Sequence, residues 1–332
     1  MIELVPLKTG FLHGWPLAEL WFVVVFAFLA TFLFLDGMDF GVGALFATRD
    51  DHHDKETMLS AVAPIWDGNE VWLIVFGGAL FAAFPEVYAN LFSRHYLPLF
   101  AVLVALILRG LAPEFYEQRE DATWQRYWGG AFIVGSVAAP FLLGVFAAAW
   151  IQGAAGPTIA GLVVGLALVA LTIVNGAAFL GLKTTDELQA EMSTYGVRAA
   201  IAYLVLAVLA LAALGLSSGD LMDKLIAPVP AVLVVATAVG VGGYVLFVRR
   251  EQYRAALGVA AVLTYGLTTL VAVLLYPTID PAVGLTVEEA AVSSLALSLM
   301  TVFAAILLPL VSMYFVVLYS SFAGPTEAGE GY

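Results

Sequence analysis

Two pairs of carboxylates stand at helical spacing inside stretches that are otherwise apolar: Asp36 with Asp39, and Asp67 with Glu70. Residues three apart share a helix face, so each pair presents both carboxyls in one direction. A third apolar stretch carries Arg109. Against 13 basic and 26 acidic side chains in the whole chain, these five are the ones that fall well inside apolar runs. A charge at the centre of a membrane helix costs roughly 2.5–3.5 kcal/mol, so five of them need a reason. Four carboxylates and one guanidinium cannot all stay ionised in a low dielectric. A series of acids open to one side suits proton relay. The competing reading is an inter-helix clamp, with Arg109 neutralising one aspartate and the other acids protonated. Trp66 and Asn69 flank the acids with donors, and Gly37 with Gly41 forms a small-xxx-small pair that lets helices approach.

The elements that must carry these residues are membrane spans. The chain has 332 residues, 62% hydrophobic and 12% charged, where a soluble domain carries about 25% charged residues. That composition excludes a soluble enzyme, a disordered chain and a nucleic-acid binder, and no polar stretch is long enough to build a soluble body. Nine apolar segments fall at approximately 17–47, 58–84, 89–112, 128–152, 158–182, 198–217, 228–248, 257–277 and 293–320. They are continuous and long enough to cross a core of about 30 Å, which argues for helices over a β-barrel. The expected fold is an all-α polytopic membrane protein in one integral domain, 1–322, followed by a disordered polar tail, 323–332. The start, MIELVPLKTGFLHGWP, has neither a basic n-region nor a small-residue cleavage site, so no removable signal peptide is expected.

Lys and Arg set the orientation. Arg49, Lys55, Arg109, Arg119, Arg126, Lys183, Arg198, Arg249, Arg250 and Arg254 fall on one side, and Lys8, Arg94 and Lys224 on the other. The basic side is cytoplasmic by the positive-inside rule, which puts the N-terminus outside and the C-terminus inside. At 1.5 Å per residue from the loop TRDDHHDKET, Asp36 lies about 16 Å deep, Asp67 about 15 Å, Asp39 about 12 Å and Glu70 about 20 Å. Arg109 lies about 7 Å deep by the same count. The five form a ladder from the cytoplasmic surface to mid-membrane. A faint repeat aligns LDGMDFGVGALF with VNGAAFLGLKT, Asp36 falling on Asn175. It implies two four-helix bundles, 17–152 and 158–277, plus a peripheral ninth helix, 293–320.

There is no cysteine, and the histidines are His13, His52, His53 and His95. None lies at the depth of the acids, so no metal or haem ligand is read inside the spans. His13 and His95 read as interfacial, His52 and His53 as solvated.

The blocks LDGMDFGVGALF at 35–46 and APIWDGNEVWLIVFGGALFAAFPEVYA at 63–89 resemble the two signature helices of subunit II of cytochrome bd quinol oxidases, the cyanide-insensitive members included. LILRGLAPEFYEQRED matches that family's Arg followed by an aromatic–acidic stretch, and LALSLMTVFAAILLPLVSMYFVVLY fits its last helix. The resemblance implies a haem-free nine-helix subunit paired with a homologous subunit I that carries three haems and the outer quinol-oxidising loop. It places the cytoplasmic proton entry on Asp36 or Asp39, Asp67 and Arg109, with Glu70 where some members have Gln. On this reading Arg109 tunes the entrance, the three aspartates relay and Glu70 extends inward.

The implied protein is a multi-pass chain of a prokaryotic cytoplasmic membrane. It does no catalysis alone, stabilises its partner and takes up protons for reduction of oxygen to water. A structural quinone, bound lipid and a small accessory subunit stay open, and no nucleic acid is expected. The other class that uses the same acids is a self-sufficient proton-coupled transporter.

Overall fold

The computed structural model describes residues 12, 14–326 and 328; His13, Lys8 and half of the tail 323–332 lie outside them. Helices occupy almost all of it. In chain order they are α1 (Leu17–Phe46), α2 (His52–Val62), α3 (Trp66–Ala83), α4 (Pro85–Arg94), α5 (Tyr96–Glu117), α6 (Ala122–Gln152), α7 (Ile159–Lys183), α8 (Asp186–Ser217), α9 (Gly219–Ile226), α10 (Pro228–Arg249), α11 (Tyr253–Leu275), α12 (Val287–Ala290) and α13 (Ser294–Ser321). Several boundaries follow from local chemistry. Asp51, Asp121, Thr158 and Ser293 accept the N–H two or three residues into α2, α6, α7 and α13, satisfying donors that a helix start leaves free. Gly153 ends α6 in the left-handed conformation that glycine tolerates best.

Eight of these helices are long and apolar enough to cross a membrane. The nine expected segments differ from this at the second, 58–84. Pro64 has no N–H to continue the helix, so the chain breaks over 63–65 and the segment splits into α2 and α3. Asp67, Asn69 and Glu70 then fall in the first turns of α3 and lower its hydropathy below that of the other long helices.

Helix α1 is the axis of the structure, packed by α3, α6, α7 and α11. Helices α1, α3, α5 and α6 form one group and α7, α8, α10 and α11 a second, with α1–α7 and α6–α7 contacts joining them. The closest approach is at Gly41 and Gly176. A Cβ on Gly41 would stand 2.7 Å from the Gly176 nitrogen and against the Thr172 carbonyl. The Gly37–Gly41 stripe therefore faces α7, not the neighbouring acidic helix; Gly37 lies over Asn175. Helix α13 touches the rest mainly along α1, and only Leu297 and Ser298 of its 28 residues are buried. After it, the Thr326 N–H donates to the Lys183 carbonyl at 2.8 Å, tying the start of the tail to the end of α7.

On the Lys/Arg-poor side a second ionic contact was not anticipated. Arg94 Nη1 lies 3.1 Å from Asp280 Oδ1, with the aspartate wholly buried. Trp150 Nε1 donates to the Ile279 carbonyl at 2.7 Å in the same loop. His95, expected at an interface, is instead buried against this pair, its ring edge-on to Phe146. Burial and the adjacent Arg94 charge hold its imidazole below the usual range. The folded state therefore favours neutral His95, and its contribution is present above the ordinary imidazole pKa of about 6.5 and lost as pH falls through it.

Three outcomes follow from this packing. Gly176→Leu forces α1 and α7 apart and costs at least about 1–3 kcal/mol, read as a lower Tm in detergent. Asp280→Ala leaves Arg94 without its partner and costs about 3 kcal/mol, while adding Arg94→Ala costs much less than the two singles summed. The Tm of the unaltered chain falls from about pH 7.5 to about pH 5.5, and His95→Gln flattens that slope.

Candidate proton-handling site

Three helices and one neighbour meet around a single cation. Helix α1 supplies Asp36 and Asp39, α3 supplies Asn69 and Glu70, α5 supplies Arg109, and α13 reaches in with Tyr319. The Arg109 Nη2 donates to Asp36 Oδ1 at 2.6 Å and to Glu70 Oε2 at 3.0 Å, and Nη1 lies 3.9 Å from Asp39 Oδ2. Asn69 Nδ2 donates to Asp39 Oδ2 at 2.9 Å, while its Oδ1 accepts from the Tyr319 hydroxyl at 2.8 Å. An acceptor carboxylate at Asp39 takes the amide's Nδ2 end, and the Tyr319 hydroxyl completes the remaining Oδ1. The guanidinium carbon sits 5.2 Å from the Phe40 ring centre and 5.6 Å from that of Trp66. Arginine suits this place because its planar fork serves several acceptors and stacks on aromatic faces.

Burial grades the acids. Asp36 and Asp39 are at most 1% exposed, Arg109 2%, and the Glu70 side chain 30%. Asp36 Oδ2, Asp39 Oδ1 and Arg109 Nε are buried without a hydrogen-bond partner in the protein. The Asp36 and Asp39 carboxyls are close enough to hydrogen-bond each other once one holds a proton. Three carboxylates around one guanidinium sum to −2, and unlike a surface cluster these charges are not screened by water or salt. A hydrogen held between the aspartates would lower that excess charge and use an oxygen that has no partner in the protein. Moving that hydrogen on requires only reorientation of groups already in contact.

The ladder is rearranged relative to its expected order. Arg109 is the hub of the cluster, not its entrance; α5 continues to Glu117, so Arg109 lies eight residues, about 12 Å, from that end. Asp67 is not brought to the cluster: it is exposed, in the first turn of α3. The buried stripe of α3 runs through Asn69, Trp72, Phe76, Leu80 and Ala83. At 100° per residue Asp67 points about 200° from Asn69, away from α1, while Glu70 sits on the flank. Its carboxylate still complements the positive N-terminal end of α3. Trp66 and Asn69 do line the site as expected.

One participant, Tyr319, was not visible in the sequence, and Asn175 lies outside the cluster. Tyr319, in an apolar run near a membrane face, has the position of an ordinary interfacial anchor. Asn175, buried and contacting Leu33 O and Thr264 Oγ1 at 3.4 and 3.2 Å, was legible only through its alignment with Asp36.

Residues 17–322 match the family described as cytochrome bd terminal oxidase subunit II. The cytochrome bd ubiquinol oxidase subunit 2 of Bacillus subtilis is 30% identical over 322 residues, spanning 89% of this chain and 92% of its own. The cytochrome bd-I ubiquinol oxidase subunit 2 of Escherichia coli K12 is 33% identical over 207 residues, 56% of this chain and 54% of its own. Among solved structures, that of the bd oxidase from Geobacillus thermodenitrificans has a similar fold, with a TM-score of 0.75 and 20% identity over 92% of this chain and 98% of that one.

Removing the hub tests its energetic role. Arg109→Met leaves buried carboxylates with no cation and costs about 3–5 kcal/mol, seen as a lower Tm. Adding Asp36→Asn and Asp39→Asn to Arg109→Met recovers most of the loss, because the uncompensated charge goes with them.

Proposed function

We propose, from the premise that this chain belongs to the cytochrome bd terminal oxidase subunit II family, that it carries part of the proton route of a membrane quinol oxidase. Relatives in that family are subunits of an oxidoreductase complex, and catalysis is a property of the complex, not of this chain alone. The chain is a multi-pass protein of a bacterial membrane. We read α3 as a ninth span: its 18 residues cover about 27 Å, close to the thickness of the hydrocarbon core. The N-terminus is then outside and the C-terminus cytoplasmic.

The observation that carries the reading is the Arg109-centred cluster, buried yet reaching the surface through one acid. Protons enter from the Lys/Arg-rich side and bind at Asp39 and Asp36. Glu70, half-buried beside Arg109, leads outward, and Asp67 stands on the same exposed flank of α3. A carboxylate facing lipid costs a few kcal/mol, so a partner protein or water covers that flank. The partner is the haem-bearing subunit I, which oxidises quinol at the outer face and reduces oxygen to water at its haems. Among the described residues His95 is the only buried histidine, and it is committed to the Arg94–Asp280 region. This supports placing the haems in the partner.

A wide apolar cavity of about 730 Å³ lies between α1, α3, α5, α6 and α7, lined by Leu29, Phe76, Phe100, Trp150 and Leu168. Its size falls in the range of small-molecule sites and accommodates the apolar tail of a structural quinone.

In the assembled oxidase, Asp39→Asn and Glu70→Gln each slow oxygen reduction by about tenfold or more, with haem content and subunit ratio unchanged. Loss of haem or of the partner, with normal specific turnover in what assembles, supports the clamp and contradicts the relay.

A further inference from the structure

The route described above lacks a mouth, and the packing of α2, α3 and α5 supplies one. A small cavity of about 10 Å³, room for one water molecule, is lined by Asp39, Ala63, Trp66, Arg109, Pro113 and Glu117, with Leu59, Val62 and Phe132 closing its sides. Asp39 and Arg109 are each at least 98% buried, and Asp39 Oδ1 and Arg109 Nε have no partner in the protein. The backbone around the cavity is also interrupted from two sides. Pro64 breaks the helix next to Ala63. Pro113 sits inside α5 and offers no N–H to the Arg109 carbonyl four residues before it. Irregular backbone at membrane depth is tolerated where it lines a hydrated cavity, and Pro113 and Ala63, the residue before Pro64, line the same one. At the other end Glu117 is exposed at the last turn of α5. It thus touches solvent and the cavity together.

We propose that Glu117 is the cytoplasmic mouth of the proton route, passing protons through one water held in this cavity to Asp39 beside Arg109. The protonated Glu117 carboxyl gives its hydrogen to the water, the water gives one to Asp39 Oδ1, and Glu117 is reprotonated from the cytoplasm. Trp66 shuts the inner side of the path, its ring 3.1 Å from where a Cβ on Gly110 would stand. Glu56 on α2 and Glu114 on α5 are the charged groups that act on Glu117 from outside. They add negative potential at the opening, which concentrates cations, protons included. The inference rests on the proton-route reading, and its test separates the two.

The experiment is steady-state oxygen reduction by the assembled oxidase across a pH series, with haem content measured on the same samples. Glu117→Gln slows turnover by about tenfold, the deficit grows as pH rises and solvent protons become scarce, and Glu117→Asp restores most of the rate. Ala63→Leu, which fills the cavity while keeping the carboxylate, gives the same pH-weighted deficit. Glu120→Gln, exposed nearby but outside the cavity, matches the unaltered enzyme. If Asp39→Asn is slow while Glu117→Gln matches the unaltered enzyme at every pH, the route stands and its mouth is elsewhere. If Asp39→Asn is itself as fast as the unaltered enzyme, the route fails and the mouth with it. A pH-independent loss in Glu117→Gln that Glu117→Asp does not restore marks a structural role and overturns the proposal.

Discussion

One buried guanidinium sets the terms for the rest of the structure. Arg109 is 2% exposed and surrounded by Asp36, Asp39 and Glu70, so α1, α3 and α5 must present their polar residues at one depth. A buried ion pair contributes little net stability by itself, but losing one partner leaves the other charge stranded. The cluster therefore acts as a register constraint. Slide any of the three helices by a turn, about 5.4 Å, and an acid or the guanidinium is left without its counter-charge in a low-dielectric core. Asn69, bonded to Tyr319, extends the same constraint to α13, whose other contacts with the bundle are sparse.

The excess of acid over base gives that constraint a function. A balanced pair would be a clamp and nothing more. Three carboxyls against one cation leave an excess of acid, and the partnerless oxygens of Asp36 and Asp39 support the proposed binding of exchangeable protons there. The second half of the molecule supplies the contrast. At the position aligned with Asp36 it has Asn175, equally buried, which bonds Thr264 and a backbone carbonyl and carries no charge. The two halves share a helix crossing at Gly41 and Gly176, but only the first half holds titratable groups there.

Much of this was legible in the residues. The cost of a charge in a membrane helix singled out Asp36, Asp39, Asp67, Glu70 and Arg109, and four of the five meet, Asp67 standing apart. Several segment limits followed from hydropathy, but α6 starts at Ala122 behind its Asp121 cap, where the apolar run begins only near 128. What escaped depended on direction and on long-range packing. Spacing showed that Asp67 and Glu70 share a face, but which face is buried was decided by the Asn69–Trp72–Phe76 stripe, and it turned Asp67 outward. The glycine stripe of α1 was visible, yet whether it met α3 or α7 depended on tertiary packing. Asp280 lies in a loop between helices, and nothing local announces that it is buried against Arg94.

Protons are proposed to reach the oxidase through the Arg109-centred acids of this chain. The most direct measurement is proton uptake from the cytoplasmic face, followed with a pH-sensitive dye as the reduced, membrane-reconstituted oxidase meets oxygen. With Asp36→Asn and Asp39→Asn together, uptake slows by about tenfold or more while the first electron-transfer step keeps its rate. Uptake at the unaltered rate in that variant, with both subunits and haem content intact, contradicts the proposal.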